Sequence, residues 1–296
     1  MTARTYATPQ AFKQALEQTL RDTSSTGADF GRRRQLIVFE RFLARIVQTI
    51  GDAATLKGGL VLEIRLERAR TTKDVDLRLL GSSENVIERL QAAGRLDLGD
   101  FMTFEIQPDA HHPDIQNDGM KYDGLRFRAE CKLGGKLYGQ RFGVDVAFGD
   151  PILGPPDEAV TADLLSFAGI APPTLRLYPV ETHIAEKLHA YTMPRQRLNT
   201  RVKDLPDLAL LATARALDAK KLREALQLTF SFRDTHPLPA ALPAPPAAWE
   251  APYAEMAAED SLEWTTLTEV EVAVRAFLDP ILRGAPVTKW DRRAWR

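Results

Sequence analysis

The chain has 296 residues, 44% of them hydrophobic and 27% charged, which is typical of a soluble globular protein and excludes a disordered or fibrous one. Its formal net charge of −1 means that any affinity for nucleic acid must come from local basic patches. The single cysteine, Cys131, excludes an intramolecular disulfide, and no apolar stretch approaches the roughly 20 residues of a membrane span. We therefore expect a soluble cytoplasmic protein without a membrane partner.

The first 150 residues show helical and strand periodicities in alternation. Helices are predicted over residues 9–21, 29–50, 60–68 and 83–94. Strands are predicted over residues 53–56, 73–80 and 101–107, followed by a hairpin of 125–133 and 136–148 that turns at Gly134-Gly135. This pattern predicts an α/β (α+β) fold with mixed strand directions.

Beyond Asp150 the chain becomes rich in turn residues and then mostly helical. Four helices are predicted, over residues 181–192, 202–214, 217–228 and 259–279. A proline-rich loop, residues 236–252, separates the last two.

Two aspartates stand in the alternating strand KDVDLRLL, residues 73–80. Successive side chains of a strand point to opposite faces, so Asp74 and Asp76 share one face while Val75 and Leu77 pack on the other. Two carboxylates this close repel each other, and a divalent cation with oxygen ligands relieves the repulsion. The alternative is that both form the solvent face of an edge strand.

A third aspartate, Asp145, lies in the later strand RFGVDVAFG. Phe142 and Val144 belong to its apolar face, whereas Gly143 and Ala147 flank Asp145 on the other face. Because these two neighbours are small, we expect space beside Asp145 for a bound group. On its own, Asp145 would fit a solvent face equally well.

The glycine pair Gly58-Gly59 lies between a predicted strand and a predicted helix. Free backbone N–H groups and the helix dipole at such a turn favour phosphate, although a plain tight turn would also use glycine. A phosphate turn followed by two strand carboxylates and a third on a later strand is the set that metal-assisted nucleotidyl transfer needs. One metal would lower the pKa of the attacking hydroxyl, and the other would stabilise the leaving pyrophosphate.

These motifs, with PVETHIAEKLHAY (179–191) and RVKDLPDLALL (201–211), resemble those of the AbiEii (MenT-type) nucleotidyltransferase toxins of the DNA polymerase β-like superfamily. The resemblance covers residues 35–215. It implies a bilobed protein in which residues 1–155 form a catalytic lobe, with N-terminal helices and a mixed β-sheet flanked by helices. Residues 156–296 would form a mainly helical lobe that contains the proline-rich loop.

The resemblance also assigns roles to residues matched position by position. The metal ligands are Asp74, Asp76 and Asp145, and the catalytic set adds Lys187 and Asp204. The nucleotide contacts are Lys57, Gly58, Gly59, Thr72, Lys187 and Lys203. The chain departs from the family pattern at Leu60, where many members carry a hydroxyl residue that would supply one more phosphate contact.

The resemblance implies Mg²⁺ as the cofactor, in a two-metal arrangement that Mn²⁺ also suits, and an NTP donor whose pyrophosphate is released. The expected acceptor is RNA, above all the 3′ end of tRNA, so that the reaction blocks translation and growth within a toxin–antitoxin system with a cognate antitoxin. The alternatives are a protein acceptor or a non-catalytic nucleotide- or RNA-binding regulator. A D-x-D glycosyltransferase would need neither the glycine turn nor Asp145.

Basic residues cluster around these motifs, and they predict either a wall that binds phosphates or merely a solvated surface. Between Glu186 and Asp204 there is no acidic residue, and the basic residues there are Lys187, Arg195, Arg197, Arg201 and Lys203. Near the aspartate pair they are Arg65, Arg68, Arg70 and Lys73. His183 and His189 are expected to be structural, because their six-residue spacing puts them on different helix faces.

Overall fold

The computed structural model describes residues 5–66, 72–115, 124–195 and 199–296. The helices of these segments are α1 (Pro9–Thr23), α2 (Gly27–Ile50), α3 (Gly59–Arg65), α4 (Val86–Arg95), α5 (Val180–Thr192), α6 (Asp204–Ala214), α7 (Ala219–Arg233), α8 (Glu250–Glu259) and α9 (Leu267–Leu282). The strands are β1 (Ala54–Lys57), β2 (Asp74–Leu79), β3 (Met102–Pro108), β4 (Gly124–Leu133), β5 (Lys136–Leu137), β6 (Phe142–Phe148), β7 (Asp157–Val160), β8 (Thr174–Leu177), β9 (Leu217–Asp218) and β10 (Lys289–Trp290).

The main sheet has the strand order β3-β4-β6-β2-β1-β8-β7, with β5 paired to β4. The β2–β6 and β1–β8 pairs are parallel and the others are antiparallel, so the sheet is mixed. The predicted α/β class, with a mixed sheet flanked by helices, is confirmed. The two aspartate-bearing strands, β2 and β6, lie side by side in the middle of this sheet.

One hydrophobic cluster is formed by the main sheet with helices α1, α2 and α4. A second is formed by the five helices from α5 through α9. In the first, Phe39 and Phe42 of α2 pack edge-on against Phe142 of β6. Helix α3 lies at the junction, because Leu60 belongs to the first cluster and Leu62 to the second. The glycine turn that precedes α3 is therefore held between the two clusters.

Strands β7 and β8 follow residue 155 in the chain, yet they belong to the main sheet. They were not predicted, since they are only four residues long and lie among turn-forming segments. The boundary at residue 155 stays a prediction. The first hydrophobic cluster extends in sequence to Leu177.

Two predicted elements differ from the observed ones. The second hairpin strand, predicted over 136–148, is interrupted between β5 and β6, where Gly139 has a φ of 72° and packs so closely on α2 that a Cβ would lie 2.8 Å from Val38. The helix predicted over 259–279 begins only at Leu267, as α9, and residues 260–266 form a loop after α8. Ser261 adopts a left-handed φ of 52°, and Thr266 begins the new helix in a capping box with Glu269.

Smaller differences concern the ends of elements. The helix predicted over 60–68 ends at Arg65, and the proline-rich loop gives way to α8 at Glu250. Among the helices of the described segments, none is both long and apolar enough to span a bilayer.

Candidate active site

A cavity of about 420 Å³ separates the middle of the sheet from helices α5 and α6. Every site residue predicted from the sequence lines it: Lys57, Gly58, Gly59, Thr72, Asp74, Asp76, Asp145, Lys187, Lys203 and Asp204. Segments more than 100 residues apart in sequence therefore face one space. Their individual roles in catalysis and binding stay predictions.

The glycine turn is built to admit a carboxylate. Gly58 has a φ of 71°, and a Cβ at this position would lie 1.8 Å from Oδ2 of Asp76. Any side chain at residue 58 would therefore displace Asp76 as well as strain the backbone. The structure therefore shows one reason for glycine at residue 58: the Asp76 carboxylate lies too close to leave room for a side chain.

Four charged residues stand in one row across neighbouring strands. Register pairs Lys57 of β1 with Asp76 of β2, Asp76 with Asp145 of β6, and Asp145 with Arg126 of β4. Paired residues of adjacent strands project from the same face, so the row runs cation, anion, anion, cation. The two adjacent carboxylates occupy its centre.

Asp76 carries a charge that its surroundings leave poorly compensated. Burial, followed by the negative charge of Asp145, raises the pKa of Asp76 to about 6, although Lys57 and Lys187 act in the opposite direction. No described residue donates a hydrogen bond to its carboxylate. A half-buried carboxylate with a raised pKa favours an added cation.

Asp74 lies at the outer end of the same strand and uses the small residue beside Asp145. Its Oδ1 accepts a hydrogen bond of 3.1 Å from the backbone N–H of Gly143, and a Cβ at Gly143 would lie 2.5 Å from that oxygen. The space expected over Gly143 for a bound group is thus taken by the Asp74 carboxylate. Thr72, two residues earlier, donates a hydrogen bond of 3.3 Å to the Asp74 carbonyl.

Asp145 is held by an arginine that is not among the site residues predicted from the sequence. Nε and Nη2 of Arg126 donate to its two carboxylate oxygens at 2.8 Å and 2.7 Å. This pairing raises the pKa of Arg126. In the sequence, Arg126 was visible only as a basic residue in the alternating strand LRFR, and the strand register that places it opposite Asp145 was unknown.

The described residues contain no group of three His, Cys, Asp or Glu side chains already arranged as a metal site. The donor chemistry nevertheless suits a hard cation, because Asp74, Asp76 and Asp145 offer only carboxylate oxygens. The raised pKa of Asp76 also indicates a deficit of positive charge between the strands. These residues fit a hard divalent cation such as Mg²⁺ or Mn²⁺.

The opposite wall of the cavity carries a lysine between two acids. Nζ of Lys187, on α5, lies 3.2 Å from Oδ1 of Asp204 and 2.7 Å from Oδ2 of Asp207, both at the start of α6. Asp204 and Asp207 are almost completely buried. Asp207 belongs to the RVKDLPDLALL motif, but no role was predicted for it. Lys203, in contrast, is exposed at the rim.

Lys57 belongs to a buried charge network that joins both walls. Its Nζ pairs with Asp150 and lies 3.3 Å from Glu186, while Arg233 of α7 lies 3.0 Å from Glu186. Burial raises the pKa of Asp150; burial acts the same way on Glu186, but Lys57 and Arg233 outweigh it and lower that pKa. The nucleotide contact expected of Lys57 stays a prediction, and Arg233 was missed.

His183 was expected to be structural, yet it lines the cavity. It is 2% exposed, and neither ring nitrogen has a hydrogen-bond partner within the described segments. Burial, aided by the charge of Lys187, lowers its pKa to about 3, so the ring is neutral at physiological pH. His189 fits the structural expectation, since it hydrogen-bonds Thr235 and packs on Phe230.

Only some of the predicted basic residues reach the cavity. Lys73 and Arg201 line it together with Lys187 and Lys203. Arg65 instead pairs with Asp157 at 2.6 Å, and Arg195 donates to the carbonyl of Ala190. Arg68, Arg70 and Arg197 lie outside the described residues.

Three solved structures resemble this fold. MenT4, a nucleotidyltransferase toxin from Mycobacterium tuberculosis H37Rv, matches with a TM-score of 0.52 and 17% identity over 91% of this chain and 98% of its own. JHP933 from Helicobacter pylori has a TM-score of 0.45 and 12% identity, covering 86% of this chain and 92% of its own. A putative nucleotidyltransferase from H. pylori has a TM-score of 0.45 and 14% identity, covering 84% and 95%. The first likeness shows a shared fold, and the other two are too distant to support an argument.

No curated protein sequence matches this chain significantly. The family model for the nucleotidyl transferase AbiEii toxin of type IV toxin–antitoxin systems, however, matches residues 41–292. This match covers most of the chain and both walls of the cavity, and it confirms the resemblance read from the motifs. The chain therefore belongs to the AbiEii family of nucleotidyltransferase toxins of type IV toxin–antitoxin systems.

Proposed function

We propose that this toxin transfers a nucleoside monophosphate from an NTP to RNA, above all to the 3′ end of tRNA, with Mg²⁺ as cofactor. The observation that carries the proposal is the pair of adjacent strand carboxylates, Asp76 and Asp145, facing Lys187 across a single cavity. Anionic groups on one wall suit a cation, and cationic groups on the other suit phosphates. A metal–triphosphate complex presents both kinds of charge.

Asp74, Asp76 and Asp145 are the residues that would hold the divalent cation. When bound, the cation would activate the attacking hydroxyl and stabilise the leaving pyrophosphate. The supporting observation from this chain is the pKa of Asp76, raised to about 6 by burial and by Asp145. Mn²⁺ has the same preference for oxygen ligands and is expected to substitute.

Lys187 is proposed to bind the triphosphate. Asp204 and Asp207 fix its ammonium at 3.2 Å and 2.7 Å, so its position is set before the substrate arrives. Such preorganisation spares the loss of side-chain entropy on binding. The cavity of about 420 Å³ lies within the range of small-molecule sites, which suits one nucleotide.

The acceptor is proposed to enter over the exposed rim that carries Lys203. Arg201 and Lys73 line the same cavity, so the rim is locally basic although the chain as a whole is nearly neutral. Phosphate contacts of this kind supply much of the affinity for RNA. Addition of a nucleotide to the 3′ end of tRNA would occupy the terminal hydroxyl that accepts an amino acid. Translation in the cytoplasm would stop until the cognate antitoxin counteracted the toxin.

The test is incubation of the purified protein with total bacterial RNA, Mg²⁺ and each α-³²P-labelled NTP in turn. The Asp76→Asn variant serves as the inactive control. Lys220→Ala, at an exposed position on α7 that does not line the cavity, serves as the matched control for loss of a surface charge. We expect a labelled band of tRNA size with one NTP, from the wild type and Lys220→Ala only.

Other outcomes of the same experiment would redirect or overturn the proposal. Label on a polypeptide and none on RNA would replace the RNA acceptor with a protein acceptor. Label on neither, with RNA still bound, would indicate a non-catalytic RNA-binding regulator. Equal labelling by Asp76→Asn would show that the carboxylate row is not the catalytic centre.

A further inference from the structure

The Arg126–Asp145 pair is a bidentate ionic contact on the sheet wall. Two parallel hydrogen bonds of 2.8 Å and 2.7 Å join the guanidinium fork to both carboxylate oxygens. Strand register places the two residues directly opposite each other on β4 and β6, so the contact needs no unusual backbone geometry. Bidentate arginine–carboxylate pairs of this kind are strong as well as geometrically specific.

This contact uses the same oxygens that a cation between β2 and β6 would need. Asp145 is the register partner of Asp76, whose own carboxylate has no hydrogen-bond donor among the described residues. The guanidinium takes one lone pair of each carboxylate oxygen, fixes the orientation of the carboxylate and neutralises its charge, so it weakens the attraction of Asp145 for a second cation. Arg126 and a divalent cation therefore compete for Asp145.

Arg126 has space for a second position, whereas the acid nearest to it after Asp145 is already held by other donors. Its side chain is 34% exposed, so it can withdraw toward solvent at little cost in burial. Asp109 lies near enough to contribute to the raised pKa of Arg126, after the larger effect of Asp145. Asp109 is in turn held by Arg128 and by the backbone N–H groups of residues 111 and 112, which fixes it in place.

We propose that Arg126 is a displaceable counter-ion: it holds Asp145 until a divalent cation takes that carboxylate, and it thereby lowers the affinity of the site for the cation. The inference rests on the metal site of the proposed function. Arg126 is a positioning residue rather than a catalytic one, since it acts through Asp145.

Arg128 provides a matched comparison within the same strand. It lies two residues farther along β4 on the same face, and it also pairs with an aspartate, since its Nε donates to Asp109 at 2.7 Å. Its register partner in β6 is Gly143 instead of an acid. Removal of Arg128 takes away one positive charge near the site without releasing Asp145.

The experiment measures Mn²⁺ binding to the full chain without nucleotide, by electron paramagnetic resonance of free Mn²⁺ and by calorimetry. The proteins are wild type, Arg126→Gln, Arg126→Lys and Arg128→Gln, each checked for folding by circular dichroism. We expect Arg126→Gln to bind Mn²⁺ at least about fivefold more tightly, the lower end of ordinary coupling between sites. Arg126→Lys, which keeps the charge but loses the fork, should fall between this variant and the wild type.

Arg128→Gln is expected to bind Mn²⁺ as the wild type does. Unchanged affinity in Arg126→Gln would overturn the inference, and so would equal tightening in Arg126→Gln and Arg128→Gln, which would show only a general field effect. RNA labelling by the wild type distinguishes failure of the proposed function from failure of the counter-ion role. If labelling occurs while Arg126→Gln binds Mn²⁺ no more tightly than the wild type, the proposed function stands and the counter-ion role fails. Absence of both labelling and Mn²⁺ binding in every protein would overturn both.

Discussion

The two walls of the cavity manage charge in opposite ways. On the helical wall, Lys187 lies between Asp204 and Asp207, and burial of these acids is matched by a cation at 3.2 Å and 2.7 Å. On the sheet wall, Asp76 lies beside Asp145, and its pKa rises to about 6. Both acids of the helical wall thus have a lysine ammonium within hydrogen-bond distance, whereas on the sheet wall two carboxylates are neighbours and one of them has a raised pKa. A functional site is thus recognised here by the charge that the fold leaves uncompensated.

This contrast predicts that removal of a carboxylate charge from the sheet wall abolishes nucleotide transfer without destabilising the fold. Asp76→Asn should reduce nucleotide transfer by about 1,000-fold or more, corresponding to ~4 kcal/mol of transition-state stabilisation. The same variant should raise the melting temperature at pH 8, because Asn removes a desolvated charge that repels Asp145. Transfer assays and thermal unfolding measure the two effects.

The sign of the stability effect follows from the raised pKa of Asp76. Its folded pKa of about 6 exceeds the ordinary value, so ionisation of Asp76 destabilises the fold increasingly as pH rises from about 4 to 6. The gap in melting temperature between Asp76→Asn and wild type should therefore be largest at pH 8 and shrink toward pH 4. A variant less stable than wild type at pH 8 would contradict this account.

Removal of a charge from the helical wall should instead destabilise the fold, because Lys187 hydrogen-bonds both acids. Lys187→Met leaves Asp207, which is fully buried, and the nearly buried Asp204 without their closest cation. We expect a loss of about 3 kcal/mol in the free energy of unfolding, together with loss of transfer. Urea denaturation measures the first and the labelling assay the second.

A second substitution separates the structural from the catalytic part of this effect. Asp207→Asn in the Lys187→Met background removes the buried charge and should recover part of the lost stability without recovering transfer. Full recovery of transfer in the double variant would mean that Lys187 acts only by supporting the fold.

The pH dependence of nucleotide transfer should reflect the ionisation of Asp76 on the sheet wall. Only ionised Asp76 is a good cation ligand, so at limiting Mg²⁺ the rate should rise with pH through about 6, up to tenfold per unit below that value. Raising the Mg²⁺ concentration should move the midpoint to lower pH, since the cation competes with the proton. A midpoint that does not respond to Mg²⁺ would exclude Asp76 as the titrating ligand.

The smallest effect is expected at the rim. Lys203→Ala removes an exposed charge, so stability should change by less than about 0.5 kcal/mol. The KM for NTP or RNA should rise by about fivefold, reflecting a screened contact of roughly 1 kcal/mol. Lys220→Ala, at an exposed position away from the cavity, should change neither quantity. Equal effects in both variants would remove Lys203 from the site.

Much of the sheet wall could be predicted from local pattern. Alternation in KDVDLRLL placed Asp74 and Asp76 on one face, and β2 shows that alternation in its burial. Strands β7 and β8 were missed because four-residue strands among turns have too little periodicity to recognise. The loop of residues 260–266 was predicted as helix because a left-handed serine, Ser261, carries no clear sequence signal.

The partners of the charged residues could not be predicted in the same way. Arg126 and Asp145 are 19 residues apart, and Lys57 and Asp150 are 93 apart. His183 was assigned to structure from its spacing along the helix, but packing decides that it lines the cavity. Pairing across strands and between helices depends on register and packing, which no single segment contains.

By itself, the sequence determined the family, the fold class and the segments that meet at the cavity, because glycine turns, strand alternation and helix periodicity are local properties of the chain. Tertiary structure alone decided which charges are compensated. It placed Lys187 between Asp204 and Asp207, brought Arg126 onto Asp145, and left Asp76 beside Asp145 with a raised pKa. The physical reason is that electrostatic energy depends on distance and burial in the folded molecule, whereas the sequence gives only the order of the charges.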